Sequence, residues 1–324
     1  MVYMISRWEQ AFTTEDPRKV CEGMRFLSYD RLLASPRLPK GIYVFTDIDR
    51  LSLYELELAS VIHRELAAGG AAVLNDPATV LTRFDLLRAL HREGINDFNT
   101  CRPQYHEWPE RYPVFLRRNA FHQGVLTDLL HSREELEAAL ARVIAQGVPW
   151  SNTIAVEYAA EPAEGNVFRK FSVYRIGDRY FQGTAVNQNG WVVKRGETGT
   201  GGEDFYEEES RTIGTIPHEA SVRRVFEIGR IQYGRVDFGM YRGKPQFYEI
   251  NTNPHVSFAV NHPSQFRRIS RETFVRNYRS AIEALPPVEG EELIGMESKF
   301  LEKLRKRCRL RRRWFRPYRS RPTF

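Results

Sequence analysis

The chain has 324 residues, 42% of them hydrophobic and 12% aromatic, enough for two or three packed units and too apolar for global disorder. Its formal charge of +7 is localised: positions 301–324 carry 11 Lys or Arg and one acid, a net of +10, which leaves 37 basic and 40 acidic residues elsewhere, a net of −3. The body is therefore mildly acidic, and the basicity is that of a C-terminal tail.

Cys21, Cys101 and Cys308 are far apart and match no metal or redox spacing, which fits a reducing cytoplasm better than a disulfide framework. The opening "MVYMISRWEQAF" has neither a basic leader nor an apolar run, so no signal peptide is expected. No stretch approaches ~18 consecutive apolar residues, so no spanning helix is expected either.

The first forty residues mix helix-like stretches with "SPRLPKG", which reads as a Pro/Gly loop. "GIYVFTDI" (41–48) is a compact β-rich run, and "SLYELELASVIHRELAAGG" has helical spacing closed by glycines. "AAVLNDP" reads as a buried strand, "ATVLTRFDLLRALHREG" as an amphipathic helix. Alternating strands and helices predict an α/β unit over 1–101.

The pattern then changes. "YPVFLRR" and "NTIAVEYAA" read as strands, and between them "SREELEAALARVIAQG" is a helix opened by a Ser/Glu capping box. This predicts a small subdomain over 102–160. "VFRKFSVYRIGDRYFQGTAV" contains two strands about Gly177-Asp178, a common hairpin turn. "KRGETGTGGEDFYEEES" (194–210) is Gly-rich and acidic and reads as a mobile loop, and "EASVRRVFEIGRIQ" as a helix. A second subdomain is expected over 161–270. A helix, a "PPVEGEE" break and a basic helix or extended tail follow over 271–324.

The stretch "GRVDFGMYRGKPQFYEINTNP" (234–254) reads as a hairpin with its turn between Gly243 and Lys244. Asp237 then faces position 250, give or take one residue, while Glu249 and Asn251 share a face because strand side chains alternate. Cross-strand neighbours lie about 5 Å apart at Cβ, so Asp237, Glu249 and Asn251 converge. Two carboxylates so close repel unless a cation lies between them. Three hard oxygen donors suit Mg²⁺, whose shell phosphate oxygens commonly complete. Taken singly each carboxylate would pass for a solvated surface residue; together, with Val236, Phe238, Phe247 and Ile250 on the other face, they predict a metal site.

"GRVDFG…FYEINTNP" resembles the signature of the ATP-grasp superfamily, which includes D-alanine–D-alanine ligase and other ATP-dependent carboxylate–amine ligases. The resemblance runs from about Val73 to Val260. It implies an α+β ATP-grasp fold with an N-terminal α/β (pre-ATP-grasp) unit, a small lid, and an antiparallel-sheet subdomain bearing the metal. It implies ATP and two Mg²⁺ ions held by Asp237, Glu249 and Asn251, with Arg235 facing the transferring phosphoryl group, a role suited to a planar, bidentate guanidinium. By offset, Arg83 and Arg117 stand where the family carries phosphate-contacting lysines. "TIAVEYAA" resembles the hinge strand whose backbone carries adenine, here Glu157, Tyr158 and Ala159, and Glu164 stands at the ribose-contacting offset. Lys170 is a further phosphate candidate, with Arg169 as its alternation rival. His122 is a candidate for capping the phosphates or contacting substrate, against an incidental loop histidine, and Lys194 for a substrate or phosphate contact; His255 lies next to the inferred metal site, and His218 has no distinguishing context.

The activity so implied is a cytoplasmic ligase that activates a carboxylate as an acyl phosphate for attack by an amine or similar nucleophile, with Arg235 and Lys170 stabilising the transfer. A non-catalytic nucleotide-binding scaffold and an ATP-grasp kinase are the alternatives. No G-x-S-x-G, Walker or dinucleotide motif is present, and "RGETGTGG" lacks the strand–turn–helix setting of a phosphate cradle. The tail "KLRKRCRLRRRWFRPYRSRP", with Trp314, Phe315 and Tyr318 among its arginines, is a candidate for contact with nucleic acid or an anionic surface, or a solvated or docked strip.

Overall fold

The computed structural model describes residues 1–314 apart from 122, 195, 197–199, 201 and 291, and for 307–314 it describes the backbone only. His122, Phe315, Tyr318 and the side chains of Cys308 and Trp314 therefore lie outside the described residues.

Four short strands, Val2–Ser6, Met24–Ser28, Ile42–Phe45 and Ala72–Leu74, form a parallel sheet in the order second, first, third, fourth. Every residue of Ile42–Phe45 is buried because the sheet is covered on both faces. Ile5, Tyr43 and Phe45 pack against Leu58 and Ile62 of the helix Leu53–Ala68, which starts at a Ser52–Glu55 capping box. Val2, Met4, Ile42 and Val44 face the other way, into a core shared with Tyr174, Phe181, Phe274 and Tyr278.

The sequence reading missed two of these strands. Val2–Ser6 and Met24–Ser28 are five residues each, too short to show a period, and their partners are supplied by distant segments. The expected loop "SPRLPKG" also contains a strand, Arg37–Pro39, which pairs antiparallel with Leu293–Gly295.

A second sheet, ordered Thr100–Cys101, Thr153–Glu157, Val114–Arg118, is backed by the helix Arg133–Ala145 through Leu116, Leu136, Ala139, Leu140 and Val143. Ser132 caps that helix, accepting from Glu135 N–H, but the expected box is only half made, since the Glu135 carboxylate accepts from His131 N–H at 2.7 Å. The third sheet is antiparallel and centred on Val167–Ile176, which pairs with Arg179–Gln182, Val186–Asn189 and Tyr233–Tyr241; Lys244–Asn251 forms its edge. Helices Arg83–Arg92 and Glu219–Gly229 cover its back through Leu86, Leu90, Val222, Val225 and Phe226.

The expected mobile loop over 194–210 is helical in its second half. Glu203–Thr212 is a helix pinned to the helix Gln265–Glu283 by a buried pair in which both Glu209 oxygens accept from Arg267 Nη1 at 2.7 and 2.5 Å. Glu209 also accepts from Ala185 N–H at 2.6 Å, so neither charge is left uncompensated.

The basic C-terminal segment begins as a docked helix, Lys299–Trp314. Leu301 is fully buried among Leu32, Leu38 and Leu66, and Arg305 donates to the carbonyls of Leu33, Ser35 and Met296. Among the described residues no helix is long and apolar enough to cross a membrane.

Candidate functional site

The hairpin's turn is Arg242-Gly243, one residue earlier than expected, with φ of +51° and +72°. Positive φ at both central residues matches the right-handed twist of the flanking strands, and Gly243 takes its value without a Cβ penalty. The register pairs Arg235 with Asn251 and Asp237 with Glu249, then shifts so that Phe238 pairs with Phe247. The extra residue at this bulge is Tyr248. Strict alternation would turn Phe247 to the same face as Glu249. The bulge instead leaves Phe247 in the core with Val236 and Phe238, and puts both Tyr248 and Glu249 on the cavity.

That cavity, about 520 Å³, lies between the second sheet and the antiparallel third sheet, a size in the range of small-molecule sites. Its two ends differ chemically. One is aromatic: Trp191 packs on Phe115 at 4.9 Å and edge-on to Tyr158 at 5.8 Å, with Tyr248 and Met240 nearby on the lining. Among the described residues the N–H groups of Ala159 and Ala160 on this lining make no hydrogen bond, whereas Tyr158 N–H is used by the Pro113 carbonyl. Burial raises the Tyr158 phenol, with Tyr241 adding to it, so that the phenol is neutral at pH 7.

The other end is ionic. The Asp237 side chain is 3% exposed and accepts from Arg235 Nε at 2.6 Å and Nη2 at 3.0 Å, while Lys170 Nζ lies 3.1 Å away. Lys170 reaches it diagonally, because Ser172, two residues on, is the cross-strand partner of Asp237. Arg169, the alternation rival, pairs with Glu208 and stacks on Phe205. Glu249 accepts from Arg117 Nη2 at 2.9 Å and Arg83 Nη2 at 2.6 Å. Burial, then the neighbouring Arg83, lowers Arg117 to about 10 against the pull of Glu249, which still leaves it a cation at neutral pH. Burial also acts to lower Arg235, but Asp237 and Tyr174 outweigh it and the net displacement is upward. Four cations face two carboxylates, so the cluster carries a surplus of two positive charges.

The geometry sorts the expected residues. Asp237, Glu249, Asn251, Arg235, Lys170 and Arg117 all line the cavity, with Glu157, Tyr158 and Ala159 at its hinge side. The Glu157 carboxylate does not serve the cavity, since it accepts from the N–H groups of Asn99, Glu110 and Arg111 and pairs with the Arg111 guanidinium at 3.0 Å. Only its backbone is placed for a hinge. Glu164 is exposed, bridges to Val167 and lies off the lining. The cavity-lining acid is Glu161, whose carboxylate accepts from Arg242 N–H at 2.9 Å. Arg83 lies off the lining, with Glu249 between its guanidinium and the cavity.

His255 packs on Phe12 and His218 against Phe238, both away from the cavity lining. Lys194 does line it, across from Gly124, whose φ is +86°. Sequence reasoning missed Trp191 altogether: it follows Gly190 in irregular backbone, where no periodicity could flag it.

Among the described residues no group of three or more His, Cys, Asp or Glu is arranged to hold a metal. The donors at hand are two opposed carboxylates and the Asn251 amide, whose Oδ1 accepts from Asn253 N–H at 2.8 Å. That set is compatible with Mg²⁺, which commonly takes one or two protein carboxylates together with substrate phosphates.

A scan against family models and a search of curated protein sequences each found no match. Among solved structures, D-alanine–D-alanine ligase from Bacillus anthracis complexed with ATP is similar at a TM-score of 0.51 and 12% identity, covering 95% of this chain and 99% of that one. A second structure of that ligase gives 0.50 and 13%, covering 94% and 98%. The chain has the ATP-grasp fold, and in its architecture resembles the ATP-grasp ligases.

Proposed function

We propose that the chain is a Mg²⁺- and ATP-dependent ligase that activates a carboxylate for attack by an amine or similar nucleophile. One observation carries this reading: a single cavity, aromatic at one end and cationic at the other, with two opposed carboxylates at the cationic end.

A purine would lie against the Trp191–Phe115 pair and Tyr248, with the backbone of Tyr158, Ala159 and Ala160 reading its edge. The triphosphate extends toward Arg117, Lys170 and Arg235. Asp237, Glu249 and Asn251 would hold the metal; when bound, it supplies charge neutralisation at the β- and γ-phosphates. Lys170 and Arg235 stabilise the negative charge that develops as the bond between the γ-phosphorus and the β,γ-bridging oxygen breaks and a carboxylate oxygen bonds to phosphorus, with ADP leaving. Attack of an amine nitrogen on the resulting acyl carbon expels phosphate, and the nitrogen loses a proton. Arg235, adjacent to Asp237 and always protonated, orients charge and takes no part in proton transfer. Lid residues 102–160 exclude water from the reactive acyl phosphate.

The test is nucleotide binding and turnover in Asp237→Asn and Glu249→Gln. Loss of Mg²⁺-dependent affinity and at least a hundredfold loss of turnover are expected. Unchanged values in the double variant refute the reading.

One observation favours a second reading. Both carboxylates are already compensated by cations of the chain, as suits a protein that holds nucleotide without turning it over. ADP release on screening paired carboxylates and amines separates the two: release supports the ligase, and a phosphorylated product without a ligated one assigns a kinase. Persistent silence with intact nucleotide binding supports the scaffold.

A further inference from the structure

We infer that Arg83 is a positioning residue that holds Glu249 and the phosphate-side loop 118–121 in one arrangement, without touching phosphate itself. The inference rests on the nucleotide reading above.

A guanidinium has five N–H donors in a planar fork. In Arg83 they are all engaged. Nε and Nη2 donate to Glu249 Oε2 at 3.2 and 2.6 Å. Nη1 donates to the carbonyls of Arg118 and Asn119, and both Nη1 and Nη2 lie 3.3 Å from the Phe121 carbonyl. The side chain is 5% exposed and off the cavity lining. A phosphate could be reached only by giving up one of these bonds in a site already shielded from water, where an unpaired carbonyl or carboxylate is costly.

The loop is held on its other sides as well. Phe84 N–H, next to Arg83, donates to Asn119 Oδ1 at 2.8 Å. Asn119 and Ala120 N–H donate to the carbonyl and side chain of Asn152. Phe121 N–H donates to Asp49 Oδ2 at 2.9 Å, and Arg50 lies over the Phe121 ring. Of these ties, the Arg83 fork is the one that ends on a cavity-lining group, Glu249. Through it the position of the loop and the orientation of a proposed metal ligand become one variable. A lysine, with three donors on a point charge, cannot bridge both. Arginine at this position is thereby explained: the bridge needs the full fork.

The experiment uses the full chain and the variants Arg83→Met and Arg83→Lys, the second serving should the first fail to fold. Three quantities are read: affinity for a fluorescent ATP analogue in EDTA, affinity for Mn²⁺ by electron paramagnetic resonance with that analogue bound, and hydrogen exchange of the Asn119, Ala120 and Phe121 amides. Both variants are expected to keep metal-free affinity within about threefold, to weaken Mn²⁺ binding at least tenfold and to speed exchange at the three amides. A tenfold or greater loss of metal-free affinity with Mn²⁺ binding and exchange unchanged makes Arg83 a phosphate ligand and overturns the inference. Full retention of Mn²⁺ affinity and slow exchange in Arg83→Lys overturns it too, because charge alone would then suffice. If the unmodified chain binds no nucleotide, the functional reading fails by itself, and the exchange rates alone decide whether Arg83 tethers the loop.

Discussion

Replacing Asn75 by Ala tests how the α/β unit is joined to the sheet that carries the site. Asn75 is fully buried at the carboxyl end of Ala72–Leu74 and adopts φ of +62°. Its Nδ2 donates to the carbonyls of Phe45 and Tyr233 at 2.9 and 2.8 Å, and its Oδ1 accepts from the N–H groups of Gln232 and Tyr233 at 2.8 and 3.0 Å. One side chain thus links a strand of the parallel sheet to the start of the Tyr233–Tyr241 strand. Ala removes four hydrogen bonds at about 1 kcal/mol each and places a Cβ-bearing residue without a compensating polar side chain in left-handed backbone, at about 1 kcal/mol more. The expected loss is about 5 kcal/mol, against about 15 kcal/mol at the upper end for folded chains. The urea midpoint should therefore fall by a third or more at unchanged slope. Asn75→Asp keeps the two accepted bonds and sets a carboxylate oxygen against two carbonyls, so it should lie between the two. A loss below about 1.5 kcal/mol for the Ala variant would show that this bridge is not made in solution.

Trp191→Ala should weaken nucleotide binding by about 10- to 100-fold, the range of base–aromatic stacking, with the triphosphate-dependent part of the affinity retained; an unchanged dissociation constant for adenosine would place the base elsewhere. Asp47 is 2% exposed and burial raises its carboxyl, only partly offset by the Arg7 N–H at 3.0 Å and Arg50 at 3.2 Å. A raised folded pKa means that the group's contribution is present at low pH and lost as pH climbs through the folded value. Asp47→Asn should accordingly gain on the unmodified chain as pH rises from about 3 to 7 in urea unfolding, and a gap that moves the other way refutes that assignment.

The parts that the sequence made legible share one property: their signal is local. The 234–254 hairpin declared itself through alternation and a Gly-containing turn, and its acids landed on one cavity within one residue of the expected register. Helices such as Arg133–Ala145 carried their caps with them. What escaped depends on distant partners. Val2–Ser6 and Met24–Ser28 are strands because they lie beside each other, and Glu203–Thr212 is a fixed helix because Arg267, more than fifty residues on, grips Glu209. Spacing located Arg83 near the site, yet the commitment of its donors became visible only once the 118–121 carbonyls were placed around it. The offset to Glu164 assumed a loop path that the chain does not take; Glu161 faces the cavity instead.

The pairing of Leu293–Gly295 with Arg37–Pro39, and the seating of Leu301 and Arg305 on Leu32, Leu33 and Ser35, give the molecule a closed circuit: a segment near its carboxyl end completes the unit that its first segment begins. Expression of residues 1–101 alone would expose Leu38, Leu58 and Leu66, which Ile294, Met296 and Leu301 now cover. A cut near residue 290 should act in the same way, uncovering the amino-terminal unit rather than trimming a dispensable extension. Shortening at the carboxyl end is thus an operation on the opposite terminus, and the safe place to truncate lies beyond Arg305.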